Sequence, residues 1–161
     1  MGAPISEIVL AVNANRTIPD YLESGEYRPR PSIATYANAM DVGAPSNMER
    51  LFDLFPTYDE FRLNVSSYSV SDDEILRTIR ETYQDSGYVI CPHTACAEGV
   101  RRDHFKEGYS IVVSTAHPAK FNTIVEPEIG KVIPIPENLY RIMHQPSKAK
   151  LIDADYHLLF D

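Results

Sequence analysis

With 43% apolar and 24% charged side chains, the 161 residues have an ordinary globular composition and enough length for one core; 1–161 reads as a single α/β unit. A formal net charge of -8, with 15 basic residues scattered along the chain, argues against nucleic acid or an anionic membrane surface as a partner. No apolar run approaches the roughly 20 residues of a spanning helix, and the composition reads as that of a cytoplasmic protein.

Ile8 to Val12 is a branched apolar run that ends in Asn13-Ala14-Asn15, the pattern of a buried strand entering a polar loop. Its abrupt start leads us to expect further structure upstream. The Pro- and Tyr-rich stretch from Ile18 to Tyr36 leaves room for one short helix, Asp20 to Ser24, closed by Gly25. Gly43 is expected to permit a backbone turn that side chains forbid. Three helix starts carry Ser or Thr followed three positions later by Glu: Ser46 with Glu49, Thr57 with Glu60 and Ser71 with Glu74. Each fits a capping box, which predicts helices over Asn47 to Phe55, Tyr58 to Asn64 and Asp72 to Ser86, the last with Ile75, Ile79 and Tyr83 on one face.

Beyond Gly87, strands are predicted at Tyr88 to Ile90 and Tyr109 to Val113, with a helix over His93 to Arg102 between them. Strand, helix and strand in that order predict a parallel crossover. Ala119 to Val125 read as a helix, and Glu137 to Met143 and Tyr156 to Phe160 as short terminal helices. In CPHTAC, Cys91 and Cys96 flank His93, but two thiols and one imidazole without a second close pair fall short of a structural zinc site, so no metal is assigned. The cysteines read as free thiols.

VVSTAHPAKF, Val112 to Phe121, combines the end of an apolar strand with two hydroxyls, a histidine and a lysine. Strand ends of this kind are where open α/β sheets bind ligands. Ser114 and Thr115 therefore either contact a polar ligand atom or cap the next helix. Lys120 and His117 either receive an anionic group or serve as a solvated lysine and a loop hydrogen-bonder.

Three segments, NANRTIPDYLESGEYRPRPSIATYANAMDVGAPSNMERL, GYVICPHTA and STAHPAKF, closely resemble in content, order and spacing the carboxyl-terminal part of threonine synthase. The resemblance covers nearly the whole chain, thinning after Glu128. It implies a parallel sheet flanked by helices, part of the tryptophan synthase β-like, type II fold of pyridoxal-phosphate enzymes. It also implies threonine biosynthesis, in which the complete enzyme, a carbon-oxygen lyase acting on phosphate, converts O-phosphohomoserine and water to threonine and phosphate. By motif position Thr115, with Ser114 beside it, is implied to face the pyridine nitrogen of pyridoxal 5'-phosphate. A carboxylate there would hold that nitrogen protonated, whereas a hydroxyl only hydrogen-bonds it. His117, Lys120, Asn38 and Asn47 are the implied substrate contacts; Ser46, with a capping role open to it, ranks below them. Cys91 stands where relatives commonly carry an acidic residue.

None of the five lysines, Lys106, Lys120, Lys131, Lys148 and Lys150, lies in a context resembling the family's Schiff-base lysine, so no catalytic residue is assigned in this chain. Two expectations follow. In one, the chain is the carboxyl-terminal portion of a threonine synthase, inactive alone, with exposed core surface that favours self-association or leaves the loops from Asn13 to Tyr36 mobile. In the other, it is a stand-alone, cofactor-free binding or interaction module derived from that fold.

Overall fold

A computed structural model describes residues 4–146, 148–149, 151–153, 155 and 157. Strand β1, Ile8–Val12, forms as its branched apolar sequence predicts, and it pairs in parallel with β2, Val65–Ser69, in the register Ile8 to Val65 through Val12 to Ser69. Val70 extends the ladder by donating its N–H to Val12 O at 2.8 Å. The parallel sheet is thus present, but its second strand is VSSYS, a segment with only one branched apolar residue. Serine side chains reinforce this pairing, with Ser67 Oγ donating to Leu10 O and Ser69 Oγ to Asn13 O, both at 2.8 Å.

The segments predicted as the paired strands of a crossover, Tyr88 to Ile90 and Tyr109 to Val113, carry no ladder among the described residues. In the second, Tyr109 and Ile111 are almost wholly exposed and Val113 is 70% exposed. Its branched residues suit a sheet, but a strand exists only where a partner supplies the other half of its hydrogen bonds.

Between β1 and β2 lie α1 (Thr17–Ser24), a 3₁₀ turn (Asn38–Met40), α2 (Met48–Leu54) and α3 (Tyr58–Asn64). α1 starts three residues earlier than its sequence suggests and ends as expected at Gly25, whose φ of 75° supplies the left-handed cap. Tyr21 projects from it into an aromatic cluster, with ring centroids 5.2 Å from Phe61, 5.5 Å from Phe52 and 5.6 Å from Tyr58. Met48 and Val65 complete this smaller core. Edge-to-face packing of this kind adds stabilisation beyond burial alone.

α3 and α4 (Asp72–Ser86) have the predicted bounds, and both predicted capping boxes form, Thr57 with Glu60 and Ser71 with Glu74. The third box does not form. Thr57 and Ser71 sit at extended backbone angles, which aim the side chain back at the first turn. At the start of α2 the backbone is already turning: Pro45 O accepts the N–H of Met48, Asn47 has helical angles, and it makes no side-chain cap. Ser46 is therefore not the cap.

α5 (Pro92–His104) and α6 (Asn122–Ile129) pack against α4, burying Ile75, Ile79, Ala95, Cys96, Val100 and Val125 in the larger core. The helix predicted from Ala119 to Val125 is instead a 3₁₀ turn, Pro118–Phe121, followed by α6, which Gly130 ends. α7 (Glu137–Met143) has its predicted bounds, while the helix predicted at Tyr156 to Phe160 lies outside the described residues, His157 apart. No described helix is long and apolar enough to cross a membrane.

Gly43 lacks the positive φ its turn role implied; what it provides is room. A Cβ there would lie 1.9 Å from Arg30 O. Gly43 O accepts from Arg30 N–H at 3.0 Å and from Thr17 Oγ1 at 2.9 Å, so the loop closes backbone against backbone.

Candidate functional site

A pocket of about 340 Å³ lies between two segments, Tyr88 to Cys91 on one side and Ser114 to Pro118 on the other. Three of the residues singled out in the sequence, Ser114, Thr115 and His117, line it together. The tip of VVSTAHP is therefore part of a concave surface, as expected of a ligand-binding segment.

His117 holds the start of the 3₁₀ turn: its Nδ1 accepts the Ala119 N–H at 3.2 Å. In the neutral ring the proton then resides on Nε2. Lys120 follows in that turn, exposed, beyond the residues that line the pocket.

The first turn of α5 joins the pocket to the rest of the fold. Thr94 is buried, and its Oγ1 is 3.1 Å from Ser114 Oγ and 3.3 Å from Cys91 Sγ. His93, also buried, accepts the Ala39 N–H on Nε2 at 2.9 Å and packs its ring 4.7 Å from that of Phe121. Burial holds the His93 pKa below its ordinary value, against a smaller upward pull from Asp41. Asn38, exposed, is thus brought toward α5 through its neighbour Ala39. Asn47 stands apart, exposed at the start of α2 and not among the pocket residues.

Beneath the Asn38–Met40 turn lies a buried polar network centred on Asn13, which is fully inaccessible. Its Nδ2 donates to Thr35 Oγ1 and Asp41 Oδ1, both at 2.8 Å, and its Oδ1 accepts the backbone and side-chain N–H groups of Asn15, both at 2.9 Å. Asn15 in turn exchanges hydrogen bonds with the Ile33 backbone at 2.8 and 2.9 Å. These contacts tie the segment from Asn13 to Tyr36 to the end of β1.

Cys91 and Cys96 are free and buried. Burial pushes the Cys96 thiol up to about 12, which makes it a poor source of thiolate. Among the described residues, no three His, Cys, Asp or Glu side chains converge as metal ligands. Sequence reasoning missed Thr94 and the wall formed by Tyr88 and Val89. The signal for Thr94 was its place in the first turn of a helix that starts Cys-Pro-His-Thr, where a side chain reaches past the helix end.

The family model "Threonine synthase, C-terminal" matches residues 93–159. Threonine synthase of Haemophilus influenzae is 38% identical over 157 residues, covering 97% of this chain and 37% of that protein. That of Serratia marcescens is also 38% identical, over 97% of this chain and 36% of its own length. The crystal structure of Escherichia coli threonine synthase superposes with a TM-score of 0.85 at 32% identity, covering 98% of this chain and 37% of that one. The structure of PLP-bound threonine synthase from Brucella melitensis gives a TM-score of 0.80 at 26% identity, over 99% of this chain and 40% of that one. This chain therefore spans well under half the length of the relatives it matches. In sequence and in fold, along nearly all of its length, it matches the C-terminal portion of the threonine synthases, a part of the type II pyridoxal-phosphate enzyme fold.

Proposed function

We propose that this chain forms the C-terminal part of a cytoplasmic threonine synthase, which converts O-phosphohomoserine and water to threonine and phosphate with pyridoxal phosphate. The observation that carries the reading is the pocket itself: the two hydroxyls of Ser114 and Thr115 and the imidazole of His117 line one concave surface, in the segment that most resembles the family. These residues fit one edge of a heteroaromatic phosphate ester, offering polar groups for ring atoms beside the apolar Val89 and Ile90. Among the described residues no lysine lines the pocket, which fits a covalent anchor supplied by another part of the complete enzyme and an inactive isolated chain.

Bound there, pyridoxal phosphate supplies the electron sink of the reaction. Thr115 meets the ring nitrogen with its hydroxyl, and Ser114 supports that edge. His117 and Lys120 receive the substrate phosphate, and Asn38 and Asn47 border the substrate side. In the complete enzyme, Thr115→Ala is expected to shift the absorption of the bound cofactor and to lower kcat by at least about tenfold, the worth of one hydrogen bond in a dry site. Unchanged absorption and turnover would remove Thr115 from the cofactor contact.

We also propose that the isolated chain self-associates through the exposed segment from Tyr109 to Val113, whose unpaired backbone and bare apolar side chains offer an open strand edge. Sedimentation velocity should show a concentration-dependent dimer or higher species. A monomer at every concentration tested would reject this.

A further inference from the structure

A run of hydrogen bonds at the first turn of α5 leads from a backbone amide to a hydroxyl at the pocket, and the amide fixes which group donates at its first link. The Ala39 amide can only donate, and it reaches His93 Nε2 at 2.9 Å. Nε2 is therefore unprotonated, and the neutral ring carries its proton on Nδ1. Burial favours this neutral ring. His93 Nδ1 lies 4.0 Å from Cys91 Sγ, so its N–H faces the sulfur as a donor.

The thiol's own proton then has one side-chain acceptor within reach among the described residues, Thr94 Oγ1 at 3.3 Å. Thr94 has a single O–H, and in the ordering that starts at the amide, with Cys91 donating to its oxygen, that proton is directed to Ser114 Oγ at 3.1 Å. Ser114 accepts, and its own O–H is left to turn into the pocket that it lines.

We propose that His93, Cys91 and Thr94 are positioning residues that order this chain in one direction, so that Ser114 presents a hydrogen-bond donor to the pocket and takes an acceptor atom of the cofactor. This rests on the reading of Ser114 and Thr115 as the cofactor-facing tip. Thr94 is the link with the greatest leverage. It is buried, it touches both neighbours in the chain, and it comes from α5 rather than from the tip it orients.

The test uses the complete enzyme loaded with pyridoxal phosphate. Thr94→Val removes both of its hydrogen bonds at nearly constant volume. The expected result is a shift in the absorption and emission of the bound cofactor and about a tenfold fall in kcat with KM little changed. Thr94→Ser should restore both. A parental spectrum in Thr94→Val, or a serine variant that behaves like the valine one, overturns the proposal.

Nitrogen-15 NMR of the histidine rings in the unsubstituted enzyme gives a readout that does not depend on any variant folding. A proton on His93 Nδ1 and none on Nε2 supports the ordered chain, and the opposite tautomer rejects it. If Ser114→Ala and Thr115→Ala both leave the cofactor spectrum unchanged, the cofactor reading of the tip has failed. If Ser114→Ala shifts the spectrum and Thr94→Val does not, only the ordering chain has failed.

Discussion

Gly43→Ala is expected to destabilise the protein by about 3 kcal/mol or more, at or above the upper end of the usual cost of forcing an extra methyl into a closed site. The methyl would lie 1.9 Å from Arg30 O and 2.8 Å from its carbonyl carbon, both backbone atoms that cannot swing aside as a side chain can. Relief requires the Arg30 and Gly43 strands of the loop to part. That breaks the 3.0 Å bond from Arg30 N–H to Gly43 O and strains the one from Thr17 Oγ1. Gly25→Ala is the informative control: its φ of 75° is costly for alanine, but the nearest atom to the new Cβ is Tyr58 Cε1 at 3.6 Å. It should cost only about 1 kcal/mol, the penalty of one left-handed residue. Urea unfolding of the two variants separates the cases, and equal costs would show that close approach is not what Gly43 provides.

Local rules served the helices well. α3 and α4 have the bounds their patterns predict, because a capping box or a terminating glycine acts within one or two turns and needs no partner elsewhere; α7, with neither, also has its predicted bounds. The failed box at Ser46 shows the limit: the same Ser-x-x-Glu letters mean a cap only if the residue is extended, and Pro45 has already started the turn. Strands fared worse for a physical reason. Whether Tyr109 to Val113 or Val65 to Ser69 is paired depends on what lies alongside, and propensity picked the segment with more branched residues while the ladder with β1 formed on the serine-rich one.

The pocket was half legible. An apolar run that stops at Ser114 and Thr115 marks a strand tip from sequence alone, and the structure puts that tip at a pocket. Thr94 was hidden because its role comes from the docking of α5, which sets its hydroxyl between Cys91 and Ser114. Asn13 and Asn15 were read only as the polar end of a strand. Their burial follows from the fold-back of Ile33 to Asp41 over β1, a contact between segments some twenty residues apart in sequence.

Asp41→Asn, the mildest change in shape available at that position, is expected to cost about 3 kcal/mol, nearly as much as Asp41→Ala. Every group that meets this carboxylate is a donor: Thr35 Oγ1 at 2.7 Å, Asn13 Nδ2 at 2.8 Å and Asn15 Nδ2 at 3.4 Å on Oδ1, and Thr35 N–H at 3.0 Å on Oδ2. An asparagine offers one acceptor oxygen, so its NH₂ must face either the Thr35 amide or the three donors on the other side. Asn13 has no access to water that could make up the loss. Thr35→Val, which removes one hydroxyl and leaves the carboxylate its other partners, should cost about 1 kcal/mol. Equilibrium unfolding in urea measures all three, and an Asp41→Asn cost below that of Thr35→Val would refute the donor-only account. The effect reaches the pocket because Asp41 directly follows the Asn38–Met40 turn, whose Ala39 amide sets the His93 tautomer. Loosening the turn removes the one fixed donor in the chain that runs to Ser114. The Asp41→Asn enzyme should therefore lose its defined His93 tautomer at denaturant concentrations too low to unfold α4 and α5.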